Sequence, residues 1–427
     1  MPEAYPITPS IRKVMIAAFS GQVVEWYDYG LYGLLAAQIG RAFFPAMNPT
    51  SQLLSSFAVF GVAFLVRPLA GMTLGRLGDR HGRKQVLVLS LLIMTIATGL
   101  VGILPGADIL GTLAPALLVL ARIAQGASAA GESTSAITYV FETVPVHRRG
   151  FYGATLLSGN SAGFLLATAS IWSMQSLFGT AAFDQWAWRI PFFLAIPLGL
   201  IGLFIRTKLP ESPQFDRMKT LGVISATPLR DTFRSGFPQL VQSVGLGALS
   251  FVANYLLLAY FPIHLKALGV PALKISQLAF WTTIFLMICY PLMGALSDIT
   301  GRKPLMIAAC LLLAGTGWPL FAAIRADNVG SILLCAGVFA LGTAAFIGVL
   351  GVLYNEFIAE SRRMAAYSTG FNLSGAIFGG TSLWTFAALV AFTGDNRMPA
   401  LYLVVAALIS LLTLLTIKVG ISPSRSE

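Results

Sequence analysis

Charge is what this sequence has least of. Asp, Glu, Lys and Arg make up 11% of its 427 residues, while 56% are hydrophobic and the mean hydropathy is +0.78. A soluble domain carries about 25% charged residues, so a chain surrounded on all sides by water is excluded. Cysteine is also scarce. Cys289, Cys310 and Cys335 stand singly in apolar runs with no C-x-x-C, which excludes a disulfide framework and a cysteine metal site. No H-E-x-x-H, G-x-S-x-G or clustered metal ligands occur, so an intramembrane enzyme is not expected. The glycines near residue 80 are followed by no G-K-[ST] and preceded by no strand, which excludes a phosphate loop. Strict two-residue alternation is missing too, and with it a β-barrel.

What is abundant is long apolar runs. Each is close to 20 residues, enough to cross about 30 Å of hydrocarbon at 1.5 Å per residue. Reading them between charged or turn-rich breaks gives twelve spans, at 14–40, 51–75, 85–105, 110–141, 151–178, 187–207, 236–262, 275–297, 304–324, 330–357, 365–392 and 398–418. The first is read as retained rather than as a signal peptide, because no small-residue cleavage site closes it. An even number puts both termini on one side. If that side is the cytoplasm, twenty of the 28 basic residues fall inside, six outside, and Arg67 and Arg122 within spans. This asymmetry follows the positive-inside rule and accounts for the net charge of +11 without any nucleic acid.

The chain repeats itself. "GRLGDRHGRK" (Gly75–Lys84) and "GALSDITGRK" (Gly294–Lys303) both read G-x-L-x-D-x-x-G-R-K, with Asp79 and Asp298 219 residues apart. A weaker pair, "ETVPVHRRG" from Glu142 and "EFIAESRRM" from Glu356, recurs at 214 residues. Each pair falls at the same place in each set of six spans. The expected architecture is therefore all-α: a duplicated bundle with residues 1–208 and 236–427 as its two six-helix halves and 209–235 as the linker. Parallel halves of this kind are a transporter architecture. The longest loop, about 27 residues, leaves no room for a sensor's output domain.

Glu25 and Asp28, in "SGQVVEWYDYGLYG", lie roughly 16 Å into the first span at 1.5 Å per residue, and Arg122 lies at similar depth in the fourth. Glu25 and Asp28 share a helix face that Tyr29 and Tyr32 continue. Ionisable groups at this depth cost several kcal/mol unless paired or hydrated. Burial raises a carboxylate's pKa and a neighbouring arginine lowers it, so an acid held between the two can exchange a proton near neutrality. Glu25, Asp28 and Arg122 are the expected proton-coupling site, with Glu25 as carrier; the competing reading is a permanent ion pair that fixes helix packing. Glu132 lies nearer the cytoplasm, and both a transport and a packing role stay open for it. With it, the intramembrane charges sum to −1, so one bound proton would bring them to zero. Arg67 is expected to snorkel to the inner interface, with a coupling role as the alternative.

The second half has no acid or base clearly at mid-membrane. Its polar candidates for substrate contact are Asn254, Tyr255, Trp281 and Asn372, facing Tyr29, Tyr32, Arg122 and Gln125 of the first half. One arginine opposite uncharged polar and aromatic groups suits a small carboxylate or a zwitterion, with Arg122 holding the carboxylate. His264, near the outer end of span seven, is expected at the membrane interface.

The duplicated G-x-x-x-D-x-x-G-R-K loop and "RIAQG" (Arg122–Gly126) resemble the major facilitator superfamily. More narrowly, "VEWYDYGLYG", "RPLAGMTLGRLGDRHGRK", the Gly131–Glu132 pair and "WAWRIPFFLAIPLGLIGLFIRTKLPESPQF" resemble its metabolite:proton symporter family. The resemblance implies proton-coupled uptake of a small organic acid or zwitterion, with no cofactor. It also implies a functional monomer in the inner (cytoplasmic) membrane of a bacterium, its partners being substrate, proton and lipid. Asp79, Arg83, Glu142, Asp298, Arg302 and Glu356 would then form a cytoplasmic gate that touches no substrate. The chain ends nine residues after Lys418, without the long coiled-coil extension of osmosensing members, so osmosensing is not expected. The alternative is a proton-driven exporter of drugs or toxic metabolites; its usual G-P-x-x-G in span five is replaced by "LLSGNSAGFLLA".

Overall fold

In hydrocarbon an unpaired backbone N–H or C=O has no water to turn to, so a chain this apolar is forced into helices. The computed structural model describes residues 10–81, 83–130, 132–207, 237–358 and 363–417, with the side chains of 72–81, 83–87, 132–135, 142 and 363–365 left out. Among the described residues every regular element is helical. The expected linker, 209–235, lies outside them.

The N-terminal portion runs α1 (Ile11–Leu34), α2 (Ala36–Phe43), α3 (Pro49–His81), α4 (Arg83–Ile103), α5 (Ala107–Leu110), α6 (Leu113–Ala129), α7 (Glu132–Thr143), α8 (Arg149–Gln185) and α9 (Ile190–Thr207). The C-terminal portion runs α10 (Phe237–Tyr255), a π-helical turn (Leu256–Tyr260), α11 (Phe261–Ala267), α12 (Ala272–Thr300), α13 (Arg302–Ala322) and α14 (Val329–Phe357). It continues with α15 (Arg363–Ser374), a second π-turn (Gly375–Gly379), α16 (Gly380–Thr393) and α17 (Met398–Thr416). Among the described residues, nine helical stretches are long and apolar enough to cross a membrane, and Val88–Ile103 and Leu113–Ala129 are shorter apolar helices.

The helices lie where the apolar runs are, and several runs are subdivided: the first holds α1 and α2, separated at Leu35. The fourth run is described as α6, ending at Ala129, and α7, beginning at Glu132, with residue 131 outside the described residues. The seventh and eleventh runs each contain a wide turn. At the second of these, the hydroxyls of Thr381 and Ser382 donate to the carbonyls of Ile377 and Phe378.

Large apolar side chains cover the outside, among them Leu65, Phe204, Phe392 and Leu412, each more than half exposed. Such a surface is stable against lipid tails and not against water. His264 is buried against the Phe321 ring, 4.5 Å between centroids. The two portions meet along α8 and α12 and along α3 and α16. Both contacts use glycine: a methyl group on Gly150 would strike the Gly294 carbonyl, and one on Gly61 would strike that of Gly380.

Candidate functional site

Sequence places Glu25 and Asp28 three residues apart on α1, and the fold gives each its own arginine. Asp28 Oδ2 lies 3.0 Å from Arg122 Nη1 of α6. Glu25 Oε1 lies 2.9 Å from Arg67 Nη2 of α3. All four side chains are at most 3% exposed. The expectation that Glu25 shares Arg122 is therefore corrected, and so is the expectation that Arg67 snorkels outward. The physical reason is the cost of a lone buried charge: removing one partner of a buried pair typically costs 3–5 kcal/mol, which no reach to the interface offsets once an acid stands beside the guanidinium. These two acids and two arginines are neutral together. Glu132, which made the expected sum negative, has its side chain outside the described residues.

Asp28 is held further. Its Oδ1 accepts from Thr98 Oγ1 of α4 at 2.8 Å and from Gln125 Nε2, while Gln125 Oε1 accepts from Arg122 Nη1 at 2.8 Å. Gln125 thus orients both members of the pair at once. Ring faces complete the shell. The Arg122 guanidinium carbon lies 4.4 Å from the Tyr32 ring centre, and that of Arg67 lies 4.8 Å from Tyr29 and 4.5 Å from Phe64. Desolvated cation–π contacts of this kind are worth about 2 kcal/mol. The Tyr29 and Tyr32 hydroxyls and Arg122 Nε and Nη2 are buried without hydrogen-bond partners.

Beside this cluster the two portions enclose a cavity of about 30 Å³, lined from one side by Gln22, Trp26 and Asn160 and from the other by Ser250, Phe251, Asn254 and Phe371. A water needs roughly 10–15 Å³ by this measure, so the space suits about two waters. Trp26 links cavity and charges: its ring is 6.4 Å from Tyr255 across the interface and 6.0 Å from Tyr29.

Of the expected substrate residues, Asn254 lines the cavity. Tyr29, Tyr32 and Tyr255 are fully buried in the aromatic wall behind it. Arg122 and Gln125 are committed to Asp28 and do not line it. Trp281 does not reach the site either: it is 60% exposed on the outer side of α12, edge-on to Phe280, and its expected substrate contact is corrected. Asn372 also works elsewhere, its Nδ2 donating to the Ala130 carbonyl at 2.8 Å and so tying α15 to the open end of α6. Sequence reasoning passed over Gln22, Trp26, Thr98 and Asn160. Their only signal was isolated polar or aromatic residues in the apolar runs of α1, α4 and α8, and it is faint.

At one end of the molecule the repeated loop is legible residue by residue in its second copy. Gly294 allows the close approach to Gly150. Asp298 accepts the Gly150 and Phe151 amides at 2.8 and 2.9 Å, capping α8, which has no side-chain cap of its own. Asp298, near the end of α12, thus caps a helix from the other portion. Gly301, at φ +90°, makes the turn that a side chain would strain, and Arg302 binds Asp298 at 2.6 Å and Glu356 at 3.2 Å. The side chains of Asp79, Arg83 and Glu142, the first copy's counterparts, lie outside the described residues.

Comparison with known proteins follows the same lines. Residues 13–227 match the family model described as sugar (and other) transporter. The glycine betaine/proline/ectoine/pipecolic acid transporter OusA of Dickeya dadantii (strain 3937) is 37% identical, the match covering 96% of this chain and 83% of that one. The proline/betaine transporter of Escherichia coli (strain K12) is 35% identical over the same shares. Among solved structures, the inward-open conformation of the E. coli xylose transporter XylE superimposes with a TM-score of 0.76, covering 97% of this chain and 98% of that one; at 18% identity the likeness is one of fold. By its family match and by relatives similar over nearly its whole length, the chain belongs to the sugar (and other) transporter family of the major facilitator superfamily, in the branch that resembles the proline and betaine transporters.

Proposed function

We propose that the protein is a proton-coupled symporter that takes up a small zwitterionic metabolite, of the proline or betaine kind named for its relatives, by alternating access. Its twelve spans form two six-helix halves, 1–208 and 236–427, joined by 209–235. Both termini are cytoplasmic, and the chain works as a monomer in a bacterial inner membrane. The observation that carries the reading is the pair of buried ion pairs, Glu25–Arg67 and Asp28–Arg122, one aromatic layer from a cavity that both portions line.

Glu25 and Asp28 carry the proton in turn with the opening of the site. A proton on either acid cancels the charge that holds its arginine, and the guanidinium then needs a new partner. The Tyr29 and Tyr32 rings already lie against the two guanidinium groups, and their hydroxyls take over the freed N–H groups. That exchange of partners is the local change that tilts one half against the other. Asp298, Arg302 and Glu356, with Asp79, Arg83 and Glu142 as their repeats, hold the cytoplasmic side shut until then.

The test is uptake of labelled proline and glycine betaine into proteoliposomes with and without an imposed pH gradient. Glu25→Gln and Asp28→Asn are each expected to abolish gradient-driven accumulation. Full pH-dependent accumulation by both variants would sink the reading.

A further inference from the structure

Among the described residues lining the cavity, none carries a formal charge. The two cations nearest to it are already matched by Glu25 and Asp28, and neither faces it. What the cavity offers instead is amides and ring faces. Asn160 from α8 and Asn254 from α10 line it from the two portions. Each is more than nine-tenths buried, and each has an amide atom without a partner, Asn160 Oδ1 and Asn254 Nδ2. The Trp26 indole N–H is buried and unpartnered as well. Phe251 and Phe371, 5.1 Å apart, supply ring faces on the far side.

We infer that this cavity, widened as the halves part, is a charge-balanced site. Asn254 and Trp26 donate to a carboxylate, the ring faces of Trp26, Phe251 and Phe371 meet the cationic end, and solutes with only one of the two charges are rejected. The inference rests on the zwitterion-uptake reading and adds where and how the solute is held, moving the carboxylate away from Arg122. A lone anion would enter beside acids already paired and find no free cation. A lone cation would leave the amide donors buried and unpaired, the situation by which polar sites discriminate most strongly. A zwitterion satisfies both ends with no net charge brought into a low-dielectric space.

The experiment is equilibrium binding to the purified full chain in detergent, with no gradient, using three probes of nearly one shape: glycine betaine, choline, and 3,3-dimethylbutanoate, in which carbon replaces the ammonium nitrogen. Glycine betaine is expected to bind at least tenfold more tightly than either single-charge probe. Asn254→Asp, checked for folding by gel filtration and melting, is expected to weaken glycine betaine at least tenfold while raising choline relative to it; Asn160→Asp is the second variant. Binding of choline or dimethylbutanoate within threefold of glycine betaine overturns the inference. So does an unchanged preference in both variants. The probe comparison on the unaltered chain needs no variant to fold. Lost proton-driven uptake with the binding preference intact counts against the coupling mechanism and supports this site; intact uptake with no preference does the reverse.

Discussion

Removing the Asp298 carboxylate should unlatch the two portions at the end that carries the G-x-L-x-D-x-x-G-R-K loops. The side chain accepts the second and third amides of α8 at 2.8 and 2.9 Å and holds Arg302 at 2.6 Å. Loss of a helix N-cap costs about 0.5–2 kcal/mol, and loss of a negative charge at a helix N-terminus about 0.3–1 kcal/mol more. Together, Asp298→Ala should cost about 1–3 kcal/mol, nearly all of it in the conformation where this end is shut, because the bonds cross between portions. At 1.4 kcal/mol per factor of ten, the balance between shut and open shifts about 5- to 150-fold. Asp298→Asn, which keeps one acceptor, should shift it less. The assay is the rate at which a membrane-impermeant thiol reagent, applied from the loop side, labels a cysteine placed at Ser250 in a background lacking Cys289, Cys310 and Cys335. A labelling rate within twofold of the parent for Asp298→Ala would refute the latch.

Four further outcomes are expected. Arg67→Met removes the guanidinium paired with buried Glu25, and should cost about 3–5 kcal/mol; Glu25→Leu in the same chain should restore most of the melting temperature without restoring uptake, read by thermal unfolding and proteoliposome flux. Gly294→Ala places a methyl against the Gly150 carbonyl and the Ala154 side chain, so it should favour the open loop end by about 1–3 kcal/mol in the same labelling assay. Asn372→Ala removes one hydrogen bond between portions, worth about 0.5–1.5 kcal/mol, and should raise loop-side labelling by up to about tenfold. Trp281→Ala, on the lipid side of α12, should leave uptake within twofold of the parent.

How much of this was legible beforehand depended on the signal's range. Helix positions follow from apolar runs, a local property, and the runs located them to within a few residues. The repeat was legible because two ten-residue motifs agree at six positions, the closing G-R-K among them. That Glu25 and Asp28 stand three residues apart on one helix followed from their spacing, yet which arginine each meets did not. That choice is made by how α1, α3 and α6 cross, and nothing in "VRPLAG" records it. Trp281 and Asn254 looked alike as polar or aromatic letters in apolar helices. Only packing turns one toward lipid and the other toward the cavity. The cap on α8 was illegible for the same reason: its acid lies 148 residues away in sequence.

The second π-turn, Gly375–Gly379, has a consequence for how the eleventh apolar run can move. A wide turn holds one residue more than an α-turn, and its ladder leaves carbonyls to be satisfied otherwise. Here Thr381 and Ser382 supply hydroxyls to them. The spare residue is slack, stored in the middle of a helix with its polar groups already accommodated. Tightening it to α-form would rotate everything beyond it by about 100°. Gly380, which abuts Gly61, would swing out of that contact, so a change a single turn long can unzip the seam between α3 and α16 without melting either helix.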